Sequence, residues 1–174
     1  MLKRPQKGGS FDLWSSPIGW IGAVARDGLL VALFIHPDPH EIRERISRYF
    51  PGALPVEDGI LGEVRHQIDE YFRHQRRVFD LPLDFTGISS FTAQVLRHLS
   101  GVPQGETITY GELAKQIGRP LAARAVGGAL AANPFPIVVP CHRVVGAKDR
   151  LTGYSGGEGI VTKEWLLKFE GERN

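Results

Sequence analysis

Two adjacent helical segments with clear start and stop signals constrain the second half of this 174-residue chain. Thr109 and Glu112 form a T-x-x-E capping box, and Gly118 stands where the glycine that ends a helix belongs. The next segment begins with Pro120 in its first turn and stops at Asn133, which a proline follows. Two short helices joined by a glycine-containing turn are typical of a helix-turn-helix, so we expect that motif here.

The second of these helices has an unusual composition. Residues 121–132 contain six alanines, two glycines and one charged side chain, Arg124. Gly127 and Gly128 each cost a helix roughly 1 kcal/mol relative to alanine. Close helix packing explains such a segment, and so does a face that lies flat on another surface with one basic side chain projecting. A helix so poor in hydrogen-bonding side chains would contact DNA through shape more than through base edges.

The first half reads as strands followed by helices. Three short apolar runs, "FDLWSS", "GWIGAVA" and "GLLVALFI", predict strands, and Asp27-Gly28 between the last two predicts a tight hairpin. Helical spacing follows over 39–50 and 60–73, and then a proline-interrupted connector. We expect an α/β (α+β) fold with a small N-terminal β-sheet lobe bearing helices, residues 1–85, and a mainly helical C-terminal lobe, residues 86–174.

Composition narrows the class of protein. The chain is 42 % hydrophobic and 23 % charged with a net charge of +2, which is ordinary for a globular protein. Residues 88–174 carry 10 basic against 7 acidic side chains, which permits a nucleic-acid partner. A single cysteine cannot form an internal disulfide. No apolar run could span a bilayer, and the basic start precedes no signal-peptide core, so a cytoplasmic protein without membrane contact is expected.

The one cysteine, Cys141, lies in "NPFPIVVPCHRVVG", where the apolar "PIVVPC" predicts a buried strand or extended run. A lone cytosolic cysteine is most often a small buried hydrophobe. The adjacent His142 and Arg143 could instead stabilise a reactive thiolate. On an extended segment, His142 would point away from the thiol, so a bridging water would be needed between them. No metal site is expected, because there is no second thiol.

Five ordered motifs carry a family resemblance: "TYGELA", "ARAVGGAL", "NPFPIVVPCHRVVG", "GYSGG" and "KEWLLKFEG". In order and approximate spacing they resemble the O6-alkylguanine-DNA alkyltransferases, the methylated-DNA–protein-cysteine methyltransferases. The similarity covers residues 91–171 and is looser over 1–85. The resemblance implies a ribonuclease-H-like first lobe. It also implies irreversible, single-turnover transfer of an alkyl group from guanine O6, and from thymine O4, to Cys141 after base flipping.

The resemblance also implies roles for individual residues. Cys141 is the nucleophile, His142 takes its proton through a water, and Glu170 orients His142. Tyr110 donates a proton to the leaving guanine, and Asn133 ties the second helix to the cysteine segment. Arg124 replaces the flipped nucleotide in the duplex.

Further residues follow from the same resemblance. The DNA-binding set around Arg124 comprises Thr109, Ala123, Gly127, Gly128 and Ala131. The substrate-pocket set comprises Pro136, Val144, Tyr154, Ser155, Gly156 and Lys163. The expected partner is double-stranded DNA containing O6-alkylguanine, bound in the minor groove by a monomer. No cofactor is expected, and zinc is not, because the first lobe lacks the cysteines with which some members hold it.

Two alternatives remain at this level. One is a thiol hydrolase that uses Cys141, His142 and Glu170, against which the helix-turn-helix speaks. The other is a non-catalytic module that binds alkylated lesions, against which the intact thiol speaks.

In the last helix we expect Trp165, Leu166 and Phe169 to face inward.

Overall fold

The computed structural model describes residues 8–57 and 59–172. They divide into two compact units with the boundary between Phe85 and Thr86. Residues 1–7, which include most of the basic start, lie outside the described ranges. Within those ranges, no helix is both long and apolar enough to cross a membrane.

The first unit is built on a four-stranded sheet in the spatial order β3-β2-β1-β4. Its strands are β1 (Ser10–Ser16), β2 (Gly19–Arg26), β3 (Leu29–His36) and β4 (Leu54–Pro55). The first three pair antiparallel, and β4 runs parallel to β1. Asp27 and Gly28, with φ of 51° and 77°, join β2 to β3. Both lie in the left-handed region that two-residue hairpins of type I′ require, so the predicted hairpin is confirmed.

Two helices cover opposite faces of this sheet. Helix α1 (Pro39–Tyr49) buries Ile42 and Ile46 against Val24 and the strands around it. A Cβ at Gly22 would clash with Ile42, so glycine allows this close approach. Helix α2 (Ile60–Phe72) lies on the other face, buries an apolar stripe along its length, and places the Arg65 guanidinium 5.9 Å from the Trp14 ring centroid.

The second unit is mainly helical. It contains α3 (Ser90–Leu99), α4 (Tyr110–Gln116), α5 (Ala123–Ala131) and α6 (Ile160–Gly171). Helices α3, α4 and α5 pack against one another. A short parallel pair, β5 (Ile108–Thr109) with β6 (Val144–Val145), sets the start of α4 beside the segment that follows Cys141. The predicted fold class, a sheet-bearing first part and a helical second part, is confirmed.

The predicted start and end signals of α4 are both confirmed. The Thr109 hydroxyl accepts from the Glu112 N–H, and the Glu112 carboxylate accepts from the Thr109 N–H at 2.8 Å. Gly118 has a φ of 73° just beyond the end of the helix, as a terminating glycine should.

The predicted start of α5 was wrong, because Pro120 lies in a turn three residues ahead of Ala123. Proline fits the second position of a four-residue turn at least as well as a helix start.

The predicted strand over "PIVVPC" is also wrong. Residues 134–139 form a bend and turns, and the Val139 N–H donates to the Phe135 carbonyl at 2.8 Å. Ile137 has a φ of 73°, which no strand residue adopts. Pro134, Pro136 and Pro140 lack the N–H that a strand donates, so the segment forms turns although it is apolar.

The inward face of α6 is narrower than expected. Leu166 is fully buried, whereas Trp165 is exposed and Phe169 is partly buried. The two aromatic rings stack on each other with centroids 5.0 Å apart. The other buried positions of α6 are polar, namely Thr162, Lys163 and Glu170.

Candidate active site

Cys141 opens a single 3-10 turn, Cys141–Arg143, immediately before β6. Its side chain is only 9 % exposed, and His142 and Arg143 are also buried. Burial raises the pKa of the Cys141 thiol. Hydrogen bonds from Asn133 and from backbone N–H groups, together with the positive charge of Lys163, partly oppose this. The resting side chain is therefore a thiol that the site partly prepares for ionisation.

His142 and Glu170 are joined by a buried hydrogen bond. His142 Nε2 lies 2.9 Å from Glu170 Oε1, and both side chains are fully buried. Burial lowers the pKa of His142, although the Glu170 carboxylate opposes that shift. A neutral imidazole that donates from Nε2 has an unprotonated Nδ1. That Nδ1 is buried and has no hydrogen-bond partner among the described residues, so it can accept a proton.

Arg143 completes this network. Its Nε donates to Glu170 Oε2 and its Nη2 to Oε1, each at 2.8 Å, while Nη1 donates to the Val102 carbonyl at 2.6 Å. Burial opposes ionisation of Glu170, but His142 and Arg143 outweigh it and hold the pKa of the carboxyl far below its ordinary range. Arg143 was expected to help a thiolate; the structure instead pairs it with Glu170.

Asn133 connects the end of α5 to the segment before Cys141. Its Nδ2 donates to the Val139 carbonyl at 2.9 Å, and its Oδ1 accepts from the Phe135 N–H at 3.0 Å. Hydrogen bonding from the same side chain also lowers the pKa of the Cys141 thiol. Pro136 lies inside the loop that these bonds close. Asn133 thus fixes the irregular loop whose prolines leave few backbone partners.

Lys163 is fully buried, and its ammonium group bonds two backbone carbonyls. Nζ donates to Val144 O at 2.6 Å and to Thr152 O at 2.7 Å. Burial lowers the pKa of Lys163, and the negative charge of a Cys141 thiolate would raise it. The Tyr110 hydroxyl donates to the same Thr152 carbonyl at 3.3 Å. Lys163 and Tyr110 therefore meet at the loop after Cys141.

The loop before α6 contains Tyr154, Ser155 and Gly156. The Tyr154 hydroxyl oxygen is buried without a hydrogen-bond partner among the described residues, and Ser155 is exposed. Burial raises the pKa of Tyr154 well above its usual value, and the negative charges of an ionised Cys141 and of Glu170 add to this. A Cβ at Gly156 would lie 3.0 Å from the Tyr154 ring. A larger residue there would push the ring aside.

One side of α5 is exposed and almost free of large side chains. Arg124, Gly128 and Ala131 are exposed, whereas Ala123 and Gly127 are partly buried. A Cβ at Gly127 would lie 3.7 Å from the Tyr110 ring, so Gly127 faces α4 as well as solvent. Thr109 is half-buried because its hydroxyl caps α4.

The sequence reasoning missed two parts of the site. It gave Arg143 no place beside Glu170, although a buried carboxylate next to a neutral imidazole needs a cation, and Arg143 was the adjacent candidate. It also missed Thr152, whose backbone carbonyl accepts from both Tyr110 and Lys163. A backbone acceptor leaves no signal in side-chain chemistry.

Comparison with known proteins identifies the family. Two family models match the chain, the "6-O-methylguanine DNA methyltransferase, ribonuclease-like domain" over residues 11–85 and the "DNA binding domain" of the same protein over residues 90–172. A methylated-DNA–protein-cysteine methyltransferase of Mycobacterium bovis is 50 % identical over 91 % of this chain and 90 % of its own length. This chain belongs to the 6-O-methylguanine DNA methyltransferase family. The resemblance predicted from the motifs is confirmed.

Two further relatives of this methyltransferase family member are informative. A Thermus thermophilus protein named a DNA base-flipping protein is 40 % identical over 80 % of this chain and 92 % of its own. The crystal structure of Mycobacterium tuberculosis OGT in complex with DNA has a TM-score of 0.79 and 36 % identity, covering 94 % of each chain. The fold of this methyltransferase family member therefore agrees with solved structures over both units.

Proposed function

We propose that this protein repairs DNA by transferring the alkyl group of O6-alkylguanine, and of O4-alkylthymine, irreversibly to Cys141. The observation that carries the proposal is the state of His142. Its Nε2 is held by Glu170, while its buried Nδ1 has no partner among the described residues. A neutral base that follows the one cysteine directly in sequence, with an acceptor nitrogen available, fits the activation of a thiol nucleophile through a water.

The transfer begins with the thiol proton. A water relays it from Cys141 to His142 Nδ1, and the Glu170 carboxylate stabilises the imidazolium that forms. Arg143 keeps Glu170 ionised throughout. Lys163 and Asn133 stabilise the thiolate. Arg143 therefore acts through Glu170, which it pairs, and not through the sulfur.

The thiolate then attacks the alkyl carbon. A carbon–sulfur bond forms as the carbon–O6 bond breaks, and the electron pair of that bond leaves with the guanine. Tyr110 donates a proton to the anionic base, which makes guanine a better leaving group. In the structure, the Tyr110 hydroxyl donates a hydrogen bond to the Thr152 carbonyl. The product is a thioether, so no thiol is regenerated and each molecule acts once.

Access to the O6 atom requires that the nucleotide leave the base stack. We assign this to α4 and α5 acting as a helix-turn-helix, with α5 in the minor groove and Arg124 in the vacated place. The exposed small residues of α5 and its single arginine support this role. The relative named a DNA base-flipping protein and the relative solved with DNA also support it. The lining of Pro136, Val144, Tyr154, Ser155, Gly156 and Lys163 would hold the flipped base. We expect a cytoplasmic monomer that needs no cofactor.

The relative named a DNA base-flipping protein also motivates the alternative, a module that binds lesions without transfer. Titration with excess duplex containing O6-methylguanine, followed by intact-protein mass, separates the two. We expect product to stop at one equivalent and the mass to rise by one methyl group on the Cys141 peptide. Binding without a mass change would establish the alternative, and product beyond one equivalent would indicate a hydrolase.

A Cys141→Ser variant is the matched control for this titration. It should keep binding to the alkylated duplex and show no mass change, because α5 and the loop are untouched. If it lost DNA binding as well, Cys141 would be structural. A parallel duplex containing O4-methylthymine tests the second substrate in the same way.

A further inference from the structure

Leu121 is the most exposed large apolar side chain among the described residues. It is 100 % exposed, compared with 75 % for Val78 and 66 % for Leu54. It lies in the four-residue turn Arg119–Ala122, which the Ala122 N–H closes by donating to the Arg119 carbonyl at 2.9 Å. Pro120 precedes it and fixes its own backbone φ. The turn therefore presents Leu121 to solvent on a stiff backbone.

Leu121 does not stabilise the start of α5 by packing. Ala122 is the N-cap, so Leu121 stands just before the cap and Val126 is the fourth helical residue. An apolar residue just before the N-cap commonly packs on an apolar residue at the fourth helical position, a contact called a hydrophobic staple. Val126 is fully buried, yet Leu121 is fully exposed, so this staple is not formed. The leucine stabilises neither the turn nor the helix through packing.

Leu121 lies in the turn that leads into α5, three residues before Arg124. Within the helix, Arg124, Ala125, Gly128 and Ala131 are exposed. Arg124, Gly128 and Ala131 have the spacing of one helical face. Leu121 is thus an apolar projection at the end of a smooth strip that carries Arg124. The small side chains of this strip would let a DNA surface approach the backbone of α5 closely.

We propose that Leu121 is an apolar wedge that enters the DNA minor groove beside Arg124 and loosens the base step next to the lesion. The inference rests on the proposed repair function. Minor-groove proteins insert leucine and similar side chains between base steps, and the unstacking that results favours bending and extrusion. Arg124 then occupies the space that the extruded nucleotide leaves. Leu121 lowers the free energy needed to unstack and extrude that nucleotide. Leu121 has no part in the chemistry at Cys141.

The test compares variants on two substrates in single-turnover reactions. On duplex O6-methylguanine, Leu121→Ala should react about tenfold more slowly than the wild type. Leu121→Asn, similar in size but polar, should be equally slow, and Leu121→Met should retain most of the rate. With free O6-benzylguanine, which needs no extrusion, the loss in both slow variants should disappear. The matched control, Leu54→Ala, removes an exposed leucine from β4 and should react as the wild type does.

A second measurement reads the wedge itself. 2-Aminopurine placed beside the lesion brightens when it unstacks, so Leu121→Ala in a Cys141→Ser background should show a smaller increase on binding. Thermal unfolding should be unchanged, because the side chain packs against nothing. An unchanged duplex rate, or an equal loss on duplex and free base, would overturn the wedge.

Arg124→Ala separates this inference from the proposed function. If Arg124→Ala slows the duplex reaction selectively while Leu121→Ala does not, the wedge is wrong and the repair function stands. If neither variant distinguishes duplex from free base, the assignment of α5 to DNA extrusion fails as well.

Discussion

Replacing Glu170 with glutamine should expose how strongly the second unit depends on its buried charges. Glu170 accepts hydrogen bonds from His142, twice from Arg143, and from the Gly105 N–H at 3.4 Å. A glutamine keeps the shape but has one acceptor oxygen. Its amide N–H₂ would then face the donors now on Oε2, and the Arg143 guanidinium would lose its counter-charge. Breaking one partner of a buried pair costs about 3–5 kcal/mol.

Urea unfolding at neutral pH measures this loss. We expect Glu170→Gln to lower the free energy of unfolding by about 3–5 kcal/mol. The pKa of Glu170 is depressed in the folded state, so its contribution is present above the ordinary carboxyl pKa and declines as the pH falls below it. Between about pH 5 and pH 3, the wild type should therefore lose stability more steeply than the variant.

The double variant Glu170→Gln/Arg143→Met is the decisive control. Methionine removes the uncompensated charge, so the double variant should recover about half or more of the lost stability. Alkyl transfer should stay slow in both variants, by about 10²–10⁴-fold, since His142 lacks its carboxylate in each. A double variant less stable than the single one would refute the reasoning, because Arg143 would then be stabilising without Glu170.

Three further predictions follow from the site. Tyr110→Phe should leave the fold intact and slow single-turnover transfer by about 10²–10⁴-fold, and an unchanged rate would remove Tyr110 from the chemistry. Lys163→Met should raise the pKa of the Cys141 thiol, because an ammonium group favours the thiolate; the pH profile of alkylation by iodoacetamide should shift upward, and an unshifted midpoint would contradict this. The S-methylated protein should unfold with about 1–3 kcal/mol less free energy than the unmodified one, because the added group enters a buried site; equal stability would show that the loop relaxes without cost.

Local signals predicted the parts of the fold that depend on neighbours in sequence. The Asp27-Gly28 hairpin, the Thr109–Glu112 capping box and Gly118 were all recognised, because each works through a hydrogen bond or a backbone angle within a few residues. The start of α5 was misplaced because proline suits both a turn and a helix start.

The rest of the fold depends on contacts between distant residues. Apolar character could not distinguish the turns before Cys141 from a strand, since both are buried there. Trp165 was expected inside as one of the apolar residues of an amphipathic helix, but α6 buries Thr162, Lys163 and Glu170 instead. Asn133 bonds the loop before Cys141, Lys163 bonds the Val144 carbonyl after it, and His142 bonds Glu170. Their roles in catalysis remain predictions that rest on the family resemblance.

The burial of Cys141 also bears on how long the protein lasts before it is used. Peroxide and other soft electrophiles attack the thiolate, and exposure governs how easily they reach it. A thiol that is 9 % exposed, with its pKa raised by burial, presents little of that form to the cell. If the protein acts only once, as proposed, oxidation of Cys141 would consume it without repair. Burial of the thiol would then protect the protein from oxidants until a substrate base is bound.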